Sequence, residues 1–198
     1  MALRLRSAPF DVIATLDAVV SHLARKDIAF AQRDQADVGF NVSCARPVPV
    51  RLATPAGRIS AEGSTWGWSI LMMGDEERWL ADLRDVPAGP ALNRVRSGGP
   101  VRRFEVACAT AEAEGLRGFV EILRIPELAV ETLRISGPPV RYVVPDADDP
   151  ARAIAITGRD FRTWLRSRQA ARLGAKARRQ DVGCPTMANL LPARAVRL

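Results

Sequence analysis

The stretch Thr65-Trp66-Gly67-Trp68-Ser69-Ile70-Leu71-Met72 alternates large apolar residues with small or polar ones. Successive side chains of a β-strand point to opposite faces, so the apolar residues at even positions from Trp66 to Met72 are predicted to share one face. Two-residue periods recur at Ile28 to Phe30, Val38 to Cys44, Val48 to Leu52, Val140 to Val144 and Ala153 to Ile156. These short runs predict a mainly antiparallel sheet of about six to eight strands.

Helical spacing replaces this period at both ends of the sequence. Apolar residues from Phe10 to Leu23 predict an N-terminal helix ending near Lys26, and those from Phe161 to Leu165 predict a long helix starting at Thr157 or Gly158. A short inserted helix is predicted from Asp75 to Leu83, with acidic residues in its first turn. The predicted class is therefore α+β: a mainly antiparallel sheet with an N-terminal helix, a short inserted helix and a basic C-terminal helix.

Several segments between these elements are harder to assign. Pro47 and Pro49 flank Val48, which predicts that this strand lies at an edge or starts late. Residues 86–100 hold three Pro and three Gly and are predicted to form a long loop, and Phe104, Val106 and Cys108 alternate like a strand. The related segments 121–125 and 131–135 (Glu-Ile-Leu-Arg-Ile and Glu-Thr-Leu-Arg-Ile) fit two strands of one meander, although Pro126-Glu127-Leu128 also fits the first turn of a helix.

The charge is distributed unevenly along the 198 residues, which carry a formal net charge of +7. Residues 1–157 contain 19 basic and 20 acidic residues, whereas residues 158–181 contain 8 basic and 2 acidic ones. This divides the chain into a globular body (1–157), a basic C-terminal helix (158–181) and a tail (182–198). Only Lys26 and Lys176 are lysines. A bacterial-like, GC-rich composition explains the preference for arginine, but not the clustering.

On the predicted C-terminal helix the cations form rows at three- to four-residue spacing. One row contains Arg159, Arg162 and Arg166, a neighbouring row contains Arg168 and Arg172, and Lys176, Arg178 and Arg179 continue the charge beyond Gly174. Like charges at this spacing destabilise an isolated helix by about a few tenths of a kcal/mol per pair, so an anionic surface would stabilise it.

The leading hypothesis is a non-enzymatic nucleic-acid-associated or ribonucleoprotein-assembly component that contacts phosphates of DNA or RNA through this helix. The alternative is a protein-binding adaptor, or subunit of a larger complex, that docks the same helix on an acidic partner protein. Trp66 and Trp68 are either core residues or, on an open sheet face, a stacking platform for bases.

The sequence lacks most catalytic signatures. Its single histidine is His22, and it has no Walker loop, dinucleotide fingerprint, nucleophile elbow or zinc-ligand spacing. No cofactor or metal is expected. A third possibility is a small carboxylate-dependent enzyme, with Glu112 and Glu114 on one strand face as an acid–base pair.

The three cysteines, Cys44, Cys108 and Cys184, form no disulfide framework, which favours a reducing compartment. Cys184 lies beside the cationic segment, which would favour its thiolate form. No signal-peptide-like or membrane-spanning apolar run is present, so a cytoplasmic location without membrane contact is expected.

Overall fold

A computed structural model describes residues 3–25, 46–59, 65–73, 78–149 and 151–181, with the side chains of all but 19–25, 46, 73 and 176–181. The strands predicted at Ile28 to Phe30 and Val38 to Cys44, the tail 182–198 and Cys184 lie outside the described residues.

Three helices and an eight-stranded sheet make up the described fold. In chain order the elements are α1 (Phe10–Arg25), β1 (Arg46–Leu52), β2 (Gly67–Met73), β3 (Arg78–Val86), β4 (Gly89–Ser97), α2 (Gly99–Ala113), β5 (Phe119–Ile125), β6 (Val130–Ser136), β7 (Arg141–Pro145), β8 (Ala153–Thr157) and α3 (Gly158–Asp181). The strand order is β4-β3-β2-β1-β5-β6-β7-β8. Every pairing is antiparallel except that between β1 and β5. The α+β class and the N-terminal helix are confirmed.

The edge position expected for β1 is wrong, because β1 pairs antiparallel with β2 and parallel with β5 near the middle of the sheet. Its pairing with β5 covers only Val50 to Leu52. The Val50 carbonyl accepts the Trp66 N–H on the β2 side at 2.8 Å. The backbone nitrogens of Pro47 and Pro49 therefore face the other side, where β5 does not extend, and no ladder hydrogen bond is lost there.

The helix expected from Asp75 to Leu83 is also wrong, since residues 78–86 form strand β3. Five consecutive β3 residues, from Trp79 to Leu83, are buried, because helices cover both faces of the sheet at this strand. Apolar residues on both faces of β3 remove the alternation that marks a strand, so its sequence resembles a helix start.

The inserted helix occurs later in the chain, where a loop and a strand were expected. Residues 89–97 form β4, joined to β3 by a tight turn in which Gly89 has φ = 104°. Residues 99–113 form α2, with a proline in its first turn. The strand expected at Phe104 to Cys108 is therefore wrong: Val101, Ala107 and Ala111 are buried at helical spacing, and two-residue alternation over so short a run was misleading.

The paired segments 121–125 and 131–135 are the two strands of one hairpin, β5 and β6. Pro126–Leu128 forms a short 3-10 turn between them, so the proline marks the connection and not a long helix. The remaining strand predictions, β7 and β8, are confirmed.

The helices divide between the two faces of the sheet. α2 packs on one face, against a core that includes Val50, Ile122 and Leu133. α1 and α3 share the opposite face: α1 packs on β2 and β3, and α3 packs on β5 and β7. The basic helix is thus attached at the β7 end of the sheet, away from α1 and across the sheet from α2.

Candidate functional site

The basic helix α3 starts directly where β8 ends, and a capping interaction fixes its first turn. The Thr157 hydroxyl donates to the Asp160 carboxylate at 2.7 Å and accepts the Asp160 backbone N–H at 3.3 Å. The bond from the Asp160 N–H is one half of a capping box, while the Asp160 carboxylate bonds the Thr157 hydroxyl instead of its backbone N–H; the Asp160 charge complements the helix dipole.

Aromatic stacking holds the first two turns of α3 on the sheet. Phe161 and Leu165 are 2% and 1% exposed. The Phe161 ring stacks on Tyr142 with 4.0 Å between centroids and 4° between planes, and Trp164 stacks beside Phe161 at 5.9 Å. Gly57 approaches from the other side, close to Leu165. The start of the helix therefore belongs to the core of the body.

Beyond Leu165 the helix leaves the body. Every side chain from Arg166 to Leu173 is exposed. The 16 residues after Leu165 correspond to a length of about 24 Å at 1.5 Å per residue. Burial in the body thus ends after two turns, while the helix continues for more than four.

All five basic candidates with described side chains are exposed: Arg159, Arg162, Arg166, Arg168 and Arg172. Within the described part of the chain, no carboxylate lies within 4.0 Å of any of them. The Arg168 guanidinium lies 5.0 Å from the centroid of the Trp164 ring, which orients it by a cation–π contact. Lys176, Arg178 and Arg179 lie in the last turns of α3, and their side chains are not described.

The two rows of arginines, expected to be neighbours, lie farther apart around the helix. At 100° per residue, Arg168 and Arg172 lie on the side of the helix occupied by Leu165. The row of Arg159, Arg162 and Arg166 is centred roughly 130° around the helix axis from Arg168 and Arg172. The side that is apolar in the first two turns becomes cationic where the helix leaves the body. The projecting part of α3 therefore presents positive charge over much of its circumference.

A groove runs between the row of Arg162 and Arg166 and a turn of the body. It is lined by Thr54, Pro55, Ala56, Arg162, Arg166 and Gln169, with a volume of about 410 Å³. Sequence reasoning missed this groove, because more than one hundred residues separate its two walls in the chain.

The two tryptophans proposed as a stacking platform do not share a face. Trp68 is 5% exposed and packs in the core beneath α1. Trp66 precedes β2 and is half-buried against the core on the α2 face, with the Arg124 guanidinium 5.3 Å from its ring centroid. The chain thus directs the two rings to opposite faces on either side of Gly67, and neither forms an open aromatic surface.

The shared strand face expected for Glu112 and Glu114 is wrong, because this segment is the end of α2. Glu112 lies in the last turn and Glu114 is the C-cap residue, and both are exposed. Glu114 accepts the Ala155 backbone N–H at 3.4 Å. Two exposed carboxyls at the end of a helix therefore lack the desolvating cleft in which an acid–base pair would work.

Sequence reasoning also missed a buried ion network on the α2 face, here called the Asp82 network. It consists of Asp82, Glu131, Arg94, Arg96 and Arg124. The Asp82 carboxylate, fully buried, accepts hydrogen bonds from Arg94 at 2.6 Å, Arg96 at 3.2 Å and Arg124 at 2.7 Å. Ser69 donates a fourth hydrogen bond, at 2.7 Å.

This network requires a strongly curved sheet. β4 and β6 are five strand spacings apart, which is about 24 Å in a flat sheet. Arg96 on β4 nevertheless donates to Glu131 on β6 at 2.9 Å. The sheet therefore curls toward the α2 face, and the network ties its two halves together.

Opposing effects set the acidity of the two network carboxyls. Burial raises the pKa of Asp82, but the charge of Arg124 and the hydrogen bonds from its neighbours outweigh burial and leave that pKa below its ordinary value. Burial likewise raises the pKa of Glu131, and the charges and hydrogen bonds of Arg124 and Arg96 bring it below the ordinary value. Both carboxyls are therefore ionised in the folded protein at neutral pH.

A second group, here called the Glu121 cluster, lies on the opposite face between α1 and α3. Glu121 is fully buried and pairs with Arg51 at 3.0 Å, with Arg6 at 3.6 Å and with Arg134. The register of the hairpin places Glu121 opposite Arg134 and Arg124 opposite Glu131. The repeated Glu-x-x-Arg spacing in residues 121–124 and 131–134 is the sequence signal that could have revealed both pairs, because antiparallel pairing sets each acid against a base.

The described residues offer no site for a metal ion, since no group of three or more His, Cys, Asp or Glu side chains comes together among them. None of the described helices is both long and apolar enough to span a bilayer. Comparison of this chain with protein-family models, with curated proteins and with solved structures finds no match.

Proposed function

We propose that this protein binds nucleic acid through α3, as a non-enzymatic nucleic-acid-associated or ribonucleoprotein-assembly component. One observation carries the proposal: five arginines are exposed on a helix that projects from the body, and no carboxylate of the described residues pairs with them. By contrast, six arginines of the body pair with the buried acids of the Asp82 network and the Glu121 cluster.

The energetics of the helix favour an anionic partner. Arg162 and Arg166, and again Arg168 and Arg172, are spaced four residues apart, so each pair destabilises the isolated helix by about 0.2–0.5 kcal/mol. A helix that is polar on all sides gains little stability from packing on the body of its own protein. Phosphates along a nucleic-acid strand would relieve this repulsion and release their own counterions.

The decisive experiment neutralises the projecting arginines in the full-length chain. Removing all of α3 would also remove Phe161 and Leu165 from the core, so deletion would confuse unfolding with loss of binding. We therefore choose the triple substitution R166Q/R168Q/R172Q, which leaves the docked turns intact. The matched control is R102Q/R103Q/R117Q, which neutralises three exposed arginines at α2 and the loop after it.

Binding is measured by fluorescence anisotropy with a labelled oligonucleotide at several salt concentrations. The wild type should lose affinity steeply as salt increases. Each phosphate contact contributes about 0.9 to the logarithmic salt slope on duplex DNA and about 0.7 on single strands, so the α3 triple variant should lower the slope by about 2 to 3. The control variant should keep the wild-type slope. Salt-insensitive binding by the wild type, or an unchanged slope in the α3 variant, would refute the proposal.

Leu173 favours a second candidate, the adaptor that docks α3 on an acidic protein. This leucine is 62% exposed and lies in line with Arg162 and Arg166, where an apolar contact would seat the helix in a partner's groove. Leu173→Gln distinguishes the two functions because it leaves the charge unchanged. It should leave nucleic-acid affinity within about twofold, whereas loss of a stoichiometric protein complex with unchanged oligonucleotide binding would favour the adaptor.

A further inference from the structure

The groove beside α3 has one rigid wall, formed by the turn from Thr54 to Arg58. The Gly57 N–H donates to the Thr54 carbonyl at 2.8 Å, and the Thr54 N–H donates to the Arg58 carbonyl at 2.9 Å. The Arg58 N–H also donates to the Thr54 hydroxyl oxygen at 3.3 Å. A bridge between Ala53 and Ile59 closes the base of the turn. These contacts fix the backbone that carries Pro55 and Ala56.

Gly57 sets the distance between this turn and the helix. Its φ of 76° lies in the left-handed region, which glycine adopts without strain. A Cβ atom at this position would lie 3.2 Å from the Leu165 Cδ1 atom. The turn therefore rests on the buried part of α3, and the groove is built from a docked turn and an anchored helix.

The chemistry of the lining favours a nucleotide. Arg162 and Arg166 supply two guanidinium groups one helical turn apart, and the lining contains no carboxylate. Gln169 offers an amide donor and acceptor, as a base edge or ribose hydroxyl requires. Pro55 and Ala56 present apolar surface across from them. The volume of about 410 Å³ lies within the range of small-ligand sites.

We infer that this groove holds one nucleotide unit of a single-stranded nucleic acid, with phosphate at Arg162 and Arg166 and the base against Pro55 and Ala56. This inference rests on the proposed function and narrows it to a preference for single strands. A duplex keeps its bases stacked inside, so it meets the arginines with phosphates alone and leaves the groove empty.

The test fills the groove without altering charge. Ala56 is exposed, and Ala56→Trp places an indole between the two walls while every arginine remains. The matched control is Ala109→Trp, an exposed alanine on α2. The probes are a labelled 12-nucleotide oligothymidine and a 12-base-pair duplex, measured by anisotropy at low salt and again at increasing salt concentrations.

We expect Ala56→Trp to weaken oligothymidine binding about tenfold while duplex binding stays within about twofold of the wild type, and Ala109→Trp to change neither. Ala56→Leu, a smaller filler, should show the same selectivity to a lesser degree, and it replaces Ala56→Trp if the larger residue impairs folding as judged by urea unfolding.

The possible failures are distinguishable. If the wild type binds neither probe in a salt-dependent manner, the proposed function itself is refuted. If the wild type binds both probes and Ala56→Trp weakens neither, or weakens both equally, the nucleotide groove is refuted while nucleic-acid binding by α3 stands.

Discussion

Replacing Asp82 by asparagine should destabilise the fold severely, because it leaves three arginines without their shared counter-ion. Asp82 is fully buried, and Arg96 and Arg124, 14% and 8% exposed, cannot turn to solvent. Glu131 would then be the remaining carboxylate of the network. Removing one partner of a buried ion pair costs about 3–5 kcal/mol. Since domains of this size are stable by about 5–15 kcal/mol, the variant should lose a large part of its free energy of unfolding.

Urea unfolding followed by tryptophan fluorescence measures this loss, and one of the four tryptophans, Trp66, has its ring beside Arg124 of the network. The control is Asp148→Asn, an exposed aspartate that should change the free energy of unfolding by no more than about 0.5 kcal/mol. If Asp82→Asn does not fold, Arg94→Gln gives a milder test, because Arg94 is 48% exposed. A loss below about 1 kcal/mol for Asp82→Asn would refute the conclusion that the network ties the curled sheet together.

Three further predictions follow from the packing and charges. The pKa values of Asp82 and Glu131 are lower in the folded protein than in the unfolded chain. Their contribution to stability should therefore be fully present above the ordinary carboxyl range and be lost as the pH drops through the folded-state values. An acid titration of the urea midpoint will show this loss. Phe161→Ala should cost about 3–5 kcal/mol in urea unfolding, since it removes a buried ring and its stacking partner contact. Gly67→Ala should lower Tm, because the new Cβ would lie 2.0 Å from a backbone oxygen of β3. Gly174→Ala is the control: a Cβ at this position would meet no neighbouring element within 4 Å, and alanine should stabilise α3 by about 0.5–1 kcal/mol.

α1 and β2 were predicted well because their sequences keep apolar residues on a regular period, although β2 is buried on both faces. The hairpin strands β5 and β6 were one of two interpretations. β3 was missed because its buried run from Trp79 to Leu83 has apolar residues on both faces, under α1 and under α2, and therefore shows no alternation. α2 was missed because glycine and proline at its start, which suit a helix N-terminus, also suit a loop.

The same reasoning explains which parts of the candidate site could be found. The exposure of the arginines on α3 depends only on the helix, so their spacing in the sequence was enough to predict them as surface residues. The groove depends on a tertiary contact between Gly57 and Leu165, and the Asp82 network depends on the curl of the sheet. Neither contact leaves a local period in the sequence. The repeated Glu-x-x-Arg spacing in residues 121–124 and 131–134 is the exception, because pairing of the two strands in a hairpin places each acid opposite a base.

The charge of the molecule is concentrated on α3. The 19 basic and 20 acidic residues of the body nearly cancel, whereas residues 158–181 carry 8 basic and 2 acidic residues. Such an asymmetric molecule orients in the field of a polyanion, with α3 leading and the nearly neutral body behind it. The 20 acidic residues of the body also give α3 of one copy carboxylates to meet on another, so nucleic acid should compete with self-association at low salt. Light scattering should show weak association that oligothymidine reverses and that R166Q/R168Q/R172Q abolishes, and association that persists in this variant would place its origin elsewhere on the molecule.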